Sequence, residues 1–392
     1  MVKLKGVERK DVPRIWIDAD TSGLVWTGLD CDDDLAILVA LALQERGKLS
    51  IEGISVSGGN GPLKHTWKNM QVLLSHAGSD IKPFKGYGWR SMQPSHKLLE
   101  WLNMIDPDIE DSNDAPLALL EASHTVKDLI VVTLGPPTNV AKALEQDPSL
   151  ESRIAHLYMM GGELTQQRLC LNFASDRAAT RTLIDTNIPT TLITVQLSAQ
   201  VVIDGIFLDS VKKKSCSTKD NGTIAATCAL LPKMYQQVNV MPTLVNQGVA
   251  KLFPSNRRWT PSQNLRNGFI PWDIVAILVL SHPKIFDEWE YHKAIFPTCS
   301  NPPGEPCNRT MTVTDFHQGL QLPPQNHSGI VRIPHVVKNE TNTLNIMMDL
   351  LNQIAAAQVE EPRLIWGFLT PVTGIVCTLF TIMWLARKQR HL

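Results

Sequence analysis

The sequence has no excess of charge of either sign: 37 Lys and Arg stand against 38 Asp and Glu, a formal net charge of −1. No long basic block breaks that balance before the last residues, so composition makes no case for nucleic acid and a small-molecule partner is expected. There is no Gly-rich phosphate loop of the Walker type and no Gly-x-Ser-x-Gly elbow, which removes two common routes to phosphoryl and acyl transfer. The N-terminal stretch MVKLKGVERKDVPRIW lacks an apolar h-region and does not read as a signal peptide. His65, His124 and His317 show no spacing that makes a metal pair or triad, and no internal repeat occurs.

What is present is a chain of 392 residues, 43% of them apolar, enough for one large globular core. Short β-rich runs, RIWIDAD, IEGISVSGG, LIVVTLG, IAHLYMMGG and TTLITVQ, alternate with helical patterns over residues 35–45, 117–122 and 138–145. That alternation predicts an α/β fold, an open, mostly parallel sheet with helices on both faces. Several strands end in Gly, Asp or Asn: Asp18 and Asp20, residues 58–60, Gly135, then Gly161 and Gly162. In such sheets the carboxyl ends of the strands form the ligand crevice, so polar groups are being delivered to one edge. From Cys216 to about Pro261 the pattern turns helical and irregular, and FPTCSNPPGEPCNRT is a Pro-rich loop; both read as decoration on the same domain, because the strand signal GIVRIP and the amphipathic TLNIMMDLLNQIAAA follow.

The domain is therefore expected over residues 1–357, with a linker at 358–363, a transmembrane helix at 364–386 and a basic tail at 387–392. The segment LIWGFLTPVTGIVCTLFTIMWLA has no charged residue, is long enough to cross a bilayer, and is followed at once by RKQRHL. Membrane attachment through this C-terminal helix is the expectation, and its topology has two readings. A missing leader suits a tail anchor with a cytosolic domain. A basic tail kept in the cytosol, sequons at Asn221, Asn308, Asn326 and Asn339, and short-range pairs Cys216 with Cys228 and Cys299 with Cys307 suit a lumenal one.

Asp30, Asp32, Asp33 and Asp34 stand directly ahead of the apolar run LAILVALAL. Ionised carboxylates this close repel one another unless a cation sits among them, and oxygen-only donors favour a hard ion. The competing reading of the Asp32/Asp33 pair is a charged helix N-terminus that complements the dipole. Asp-rich prenyl-diphosphate chemistry fits poorly, since it belongs to all-helical folds.

IWIDAD, DCDDDLAI, VSGGN with TWKN, VTLGPPTNVAKAL, MMGG ahead of LNFASDRAA, and IPWDIVAI occur in that order between about residues 14 and 280. The ordered set resembles the inosine-uridine-preferring nucleoside hydrolase family, with its Rossmann-like fold. The resemblance implies hydrolysis of the N-glycosidic bond of ribonucleosides with a bound calcium ion (Ca2+), and an assembly that is often a homodimer or homotetramer. Carried over by motif, Asp20 ligates the ion and accepts a proton from the attacking water. Asp33 is the bidentate ligand, Asp273 the third carboxylate, also on the substrate side, and Leu134 supplies a backbone carbonyl. Asp32 binds the ribose hydroxyls, with Asn60 and Asn172 completing the sugar pocket. Trp272 stands where many members have a general-acid His, which resembles the purine-specific branch, in which aromatic stacking makes the departing base easier to protonate; Trp89, with Tyr87 behind it, is the second aromatic.

The chain departs from that pattern in three places. An insertion, TSGLVWTGLDC, separates Asp20 from Asp32, with Asp30 as a reserve for Asp20. Cys170 stands where a Glu usually binds the ribose 5′-hydroxyl, and Gly61 where purine-specific members carry a base-reading Asp. Cys31, inside the insertion, is either a thiol near the site or a packing residue. Two other classes compete with a hydrolase: a non-catalytic, membrane-anchored nucleoside-binding or interaction protein that keeps the fold, and an Asp-x-Asp phosphohydrolase with Asp18 as nucleophile and Asp20 as acid, which leaves Asp273 without a role.

Overall fold

The computed structural model describes residues 12–25, 30–88, 111–162, 164, 171–216, 223–246, 268–295, 312–315 and 326–351. The chain divides into two compact units, Met1–Ala357 and Gln358–Leu392, and everything described lies in the first. In chain order the elements are β1 (Arg14–Ala19), α1 (Asp32–Glu45), β2 (Ser50–Val56), α2 (Leu63–His76), β3 (Phe84–Lys85), α3 (Asp114–Thr125), β4 (Leu129–Thr133), α4 (Thr138–Gln146) and β5 (Ile154–Met160). There follow α5 (Leu171–Ser175), α6 (Arg177–Ile184), β6 (Thr190–Ile193), α7 (Val195–Ser198), β7 (Ile203–Asp204), α8 (Gly205–Ser215) and α9 (Thr223–Asn246). The last are β8 (Gly268–Phe269), α10 (Trp272–Ser281), β9 (Phe286–Ile295), β10 (Thr312–Asp315), β11 (Ile330–Val337) and α11 (Glu340–Leu351).

Among the described residues nine strands form one sheet in the order β10-β9-β11-β6-β5-β4-β1-β2-β3. The run from β3 to β11 is parallel throughout, while β9 pairs antiparallel with β11 and β10. The mostly parallel sheet expected from the alternation is present, and β3-β2-β1-β4-β5-β6 is the order of a doubly wound fold, which reverses direction between β1 and β4. Alternate residues of β1 point to opposite faces: Ile15, Ile17 and Ala19 enter a core with α1, α2 and α10, and Trp16 enters a second core with α3, α4 and α6. Helices thus cover both faces.

The helix pattern over 35–45 begins earlier than expected, because Asp32, Asp33 and Asp34 form the first turn of α1 rather than preceding it. Acidic side chains are favoured there by the free N–H groups and the dipole. Beyond them α1 is apolar around its whole circumference and buried from Asp32 to Leu43; α10 is buried in the same way from Asp273 to Leu280. A helix with no polar face must be enclosed, and these two pack against each other in the middle of the domain.

Cys216 and Cys228 form one of the two anticipated disulfides, with Cα atoms 5.7 Å apart. Residues 299 and 307, the sequons at 221 and 308, Trp89, Cys170 and the span 364–386 lie outside the described residues. Among the described residues no helix is long and apolar enough to cross a membrane.

Leu38 is completely buried within the α1 core. Leu38→Ala should therefore lower unfolding free energy by about 2–5 kcal/mol, read from chemical denaturation; a loss below about 1 kcal/mol would show that α1 is not held in a close-packed core.

Candidate functional site

The crevice predicted at the carboxyl ends of the strands is built around the reversal between β1 and β4. Asp20 follows β1, Asn60 lies beyond β2 and Leu134 follows β4. The helix starts deliver the rest: Asp32 and Asp33 from α1, Asp273 from α10. One carboxylate oxygen from each of Asp32, Asp33 and Asp273 lies within 4.8 Å of the others. Asp20 joins them through its backbone N–H, which donates to Asp33 Oδ1 at 3.0 Å. All four are at most 3% exposed.

Burial and mutual repulsion set the electrostatics. Desolvation first, and the neighbouring charges second, push the carboxyls of Asp20, Asp32 and Asp273 well above the ordinary range. Asp33 is pushed up to about 7, again chiefly by burial, with the Asp20 N–H opposing the shift. Asp20 Oδ1, Asp32 Oδ2 and Asp273 Oδ1 are buried and accept no hydrogen bond among the described residues. Buried charge this dense requires protonation or a cation. The donor set is all oxygen, which fits Ca2+ or Mg2+ rather than zinc. Cys31 contributes no thiolate: burial pushes its thiol up, and its Sγ donates to Gln237 Oε1 at 3.0 Å.

Asp20 is held from two sides. The backbone N–H of Asn60 donates to Asp20 Oδ2 at 2.5 Å, and Asn60 Nδ2 donates to Asp33 Oδ2 at 2.9 Å, so one asparagine ties the two acids together. A Cβ on Gly135 would stand 2.8 Å from Asp20 Cγ, closer than any side chain tolerates, and Gly59 presses on the same carboxylate. The glycines at these strand ends therefore make room for an acid.

The insertion after Asp20 does not pull it away. Asp34 Oδ2 accepts the N–H groups of Ser22 and Gly23 at 3.1 and 2.9 Å, while Asn69 Oδ1 accepts those of Leu24 and Val25 at 2.6 and 2.9 Å. Asn69 Nδ2 closes the pair by donating to Asp34 Oδ1 at 2.6 Å. This Asp34–Asn69 clamp was not evident in the sequence; the Asn of TWKN was its only signal. Asp30, the reserve for Asp20, instead accepts from Gln237 Nε2 at 3.1 Å.

Asn172 donates through Nδ2 to the Leu134 carbonyl, so two residues expected to serve sugar and ion separately meet each other. A carbonyl has a second lone pair, and the contact leaves it one. Asp32, expected on the ribose alone, stands among the carboxylates grouped for an ion. Asp18 is fully buried, and its Oδ1 accepts from Ser55 Oγ and Asn139 Nδ2 at 2.6 and 2.7 Å, a tie between β1, β2 and α4 that leaves it poorly disposed as a nucleophile. Trp272 is partly buried at the start of α10, packed against the α1 core beside Asp273.

These features define a class: a doubly wound α/β protein with a buried group of carboxylates, able to hold a metal ion, at its switch-point crevice. The inosine-uridine preferring nucleoside hydrolase family model matches residues 15–351, and the chain belongs to that family. It is similar to the pyrimidine-specific ribonucleoside hydrolase RihA of Escherichia coli O9:H4 (strain HS), 30% identical over 155 residues, 35% of this chain and 48% of the relative. RihA of Klebsiella pneumoniae (strain ATCC 700721 / MGH 78578) is 25% identical over 151 residues with the same coverage. The chain thus spans about half the length of the curated relatives it matches. Among solved structures it resembles the plant nucleoside hydrolase PpNRh1 (TM-score 0.61, 16% identity, 87% of this chain and 99% of that one). The purine-preferring ribonucleoside hydrolase from Gardnerella vaginalis is similar at TM-score 0.61 and 19% identity, over 87% of this chain and 98% of that one.

The elevated carboxyls give a pH signature in chelator. Asp33 titrates near 7 when folded, against about 4 in an unfolded chain, so folding favours its protonated form. Its contribution is fully present below about pH 4 and is lost as pH rises through about 7. Metal-free protein should therefore show a falling Tm from pH 5 to pH 8 that added Ca2+ reverses; a Tm flat in pH and indifferent to Ca2+ would contradict the site.

Proposed function

We propose that the chain is a divalent-metal-dependent N-ribohydrolase that cleaves ribonucleosides, purine ribonucleosides by preference, to free base and ribose. The observation that carries this reading is the buried group Asp20, Asp32, Asp33 and Asp273, with three carboxylate oxygens that accept no hydrogen bond among the described residues, at the switch-point crevice. Asp20, Asp33, Asp273 and the Leu134 carbonyl would hold the ion. When bound, it supplies Lewis acidity that makes a neighbouring water more acidic and neutralises the crowded carboxylates.

The protein's own groups do the rest. Asp20, pinned by the Asn60 N–H on Oδ2 and with an Oδ1 that accepts no hydrogen bond among the described residues, takes the proton of the attacking water. Asp32, Asn60 and Asn172 hold the ribose hydroxyls, so that their oxygens surround a ring that becomes cationic as the N-glycosidic bond breaks. Trp272 stacks on the departing base and eases its protonation, with Trp89 as its partner. This purine preference rests on the tryptophans; curated relatives are named pyrimidine-specific and a solved neighbour purine-preferring. Residues 364–386 anchor the enzyme to a membrane, and a homo-oligomer is part of the same proposal.

Ribose release from inosine, adenosine, guanosine and uridine by the full chain, with Ca2+ or a chelator, tests the reading. The expected result is purine-selective, chelator-sensitive turnover. No turnover, with Ca2+ still raising Tm, would make this a binding protein that keeps the fold. Asp33→Ala and Asp273→Ala should each abolish ion binding, and Asp20→Asn should cost about 10²–10⁴ in kcat. Trp272→Ala should cost at least about tenfold more with inosine than with p-nitrophenyl riboside, whose leaving group needs no protonation; equal losses would reject the stacking role.

A further inference from the structure

A second group of metal-ligating side chains lies at the antiparallel side of the sheet. His292 and Glu290 alternate along β9 and so share a face, and His335 comes from β11, which pairs with β9 in register Val331↔His292 and Ile333↔Glu290. The two Nε2 atoms are 2.9 Å apart, and Glu290 Oε2 lies 3.4 Å from His292 Nε2 and 3.6 Å from His335 Nε2. The His292 side chain is 4% exposed, that of His335 21% and that of Glu290 54%, so the group is rooted in the core and open on one side.

We propose that Glu290, His292 and His335 form a second metal site, for a divalent transition ion of the zinc class, separate in chemistry from the carboxylate site of the crevice. A tetrahedral zinc site with bonds of about 2.0–2.1 Å has ligand–ligand edges of about 3.3 Å. The three observed separations bracket that value. The point equidistant from the three atoms lies about 1.9 Å from each, so an ion at zinc distance sits slightly out of their plane, toward the open side. Two imidazoles and one carboxylate suit zinc and its neighbours, where calcium prefers a larger all-oxygen shell.

The donors also stand on paired strands rather than on loops, which limits their freedom to drift. Gln200 reinforces the spot: its Nε2 donates to the His335 carbonyl at 2.6 Å and its Oε1 accepts from the Val337 N–H at 2.9 Å. Without an ion, one imidazole donates its Nε2 proton to the other. Binding requires the donor imidazole to lose its Nε2 proton to solvent and take one at Nδ1, its other tautomer, with no net proton released, so that both Nε2 lone pairs face the metal, with a fourth position open on the Glu290 side for water. The ion then cross-links β9 to β11.

The test is zinc titration of the tag-free, full-length chain, stripped of metal and held in excess Ca2+, by equilibrium dialysis with metal counting and by X-ray absorption. One zinc per chain with nitrogen neighbours at about 2.0 Å is expected, and a hundredfold excess over Kd should raise Tm by about 5 °C. His335→Ala should remove that equivalent and Glu290→Gln should weaken it at least about tenfold, while Asp33→Ala leaves it in place. A Ca2+-induced rise in Tm for His335→Ala and Glu290→Gln would verify that both variants are folded. No zinc in the wild-type chain, or zinc held equally by His335→Ala, would overturn the site and leave the histidines a hydrogen-bonded pair.

Discussion

The constraint on which the structure depends is the meeting of two helices that have no polar face. α1 and α10 must be enclosed, and enclosing them side by side brings their N-terminal turns together with Asp32, Asp33 and Asp273 inside the protein. Apolar burial is thus used to force like charges into proximity. Each helix start offsets part of the repulsion through its dipole, worth up to about 2 kcal/mol in partly buried geometry, which is small against the desolvation of several carboxylates. The remainder must be met by protonation or by a cation.

The surroundings of that cluster serve to keep it in place. Asn60 spans Asp20 and Asp33, and glycines at positions 59 and 135 yield space to the Asp20 carboxylate. Asp34 is a fourth acid in the same run, yet it does another job: with Asn69 it collects the N–H groups of residues 22–25 and fastens the inserted segment at its root. Adjacent acids in one helical turn therefore divide between site and scaffold, because successive side chains leave a helix in different directions.

Much of this was legible in the sequence where the signal is local. Strand runs that end in Gly, Asp or Asn located β1, β2, β4 and β5 and the edge they share, and the spacing of Cys216 and Cys228 matched a disulfide that the fold forms. Local signals misplaced the start of α1, since Asp is a poor helix former in the interior but is stabilised in the first turn. The pairing of Asn172 with the Leu134 carbonyl, the clamp formed by Asp34 and Asn69, and the approach of His292 to His335 depend on contacts across 38, 35 and 43 residues, which no periodicity encodes.

The position of β11 bears on how the chain assembles during synthesis. β9 and β10 come earlier in the chain, yet neither pairs with β6; they join the parallel strands through β11, which inserts between β9 and β6. Until residue 337 has left the ribosome, the outer edge of β6 is uncovered and the antiparallel strands have no partner on the sheet. Pairing at that sequence distance is slow, and open strand edges in the interval favour wrong associations. The last of the described strands to emerge is the keystone of the sheet, and nascent chains that stop short of it forfeit three strands at once.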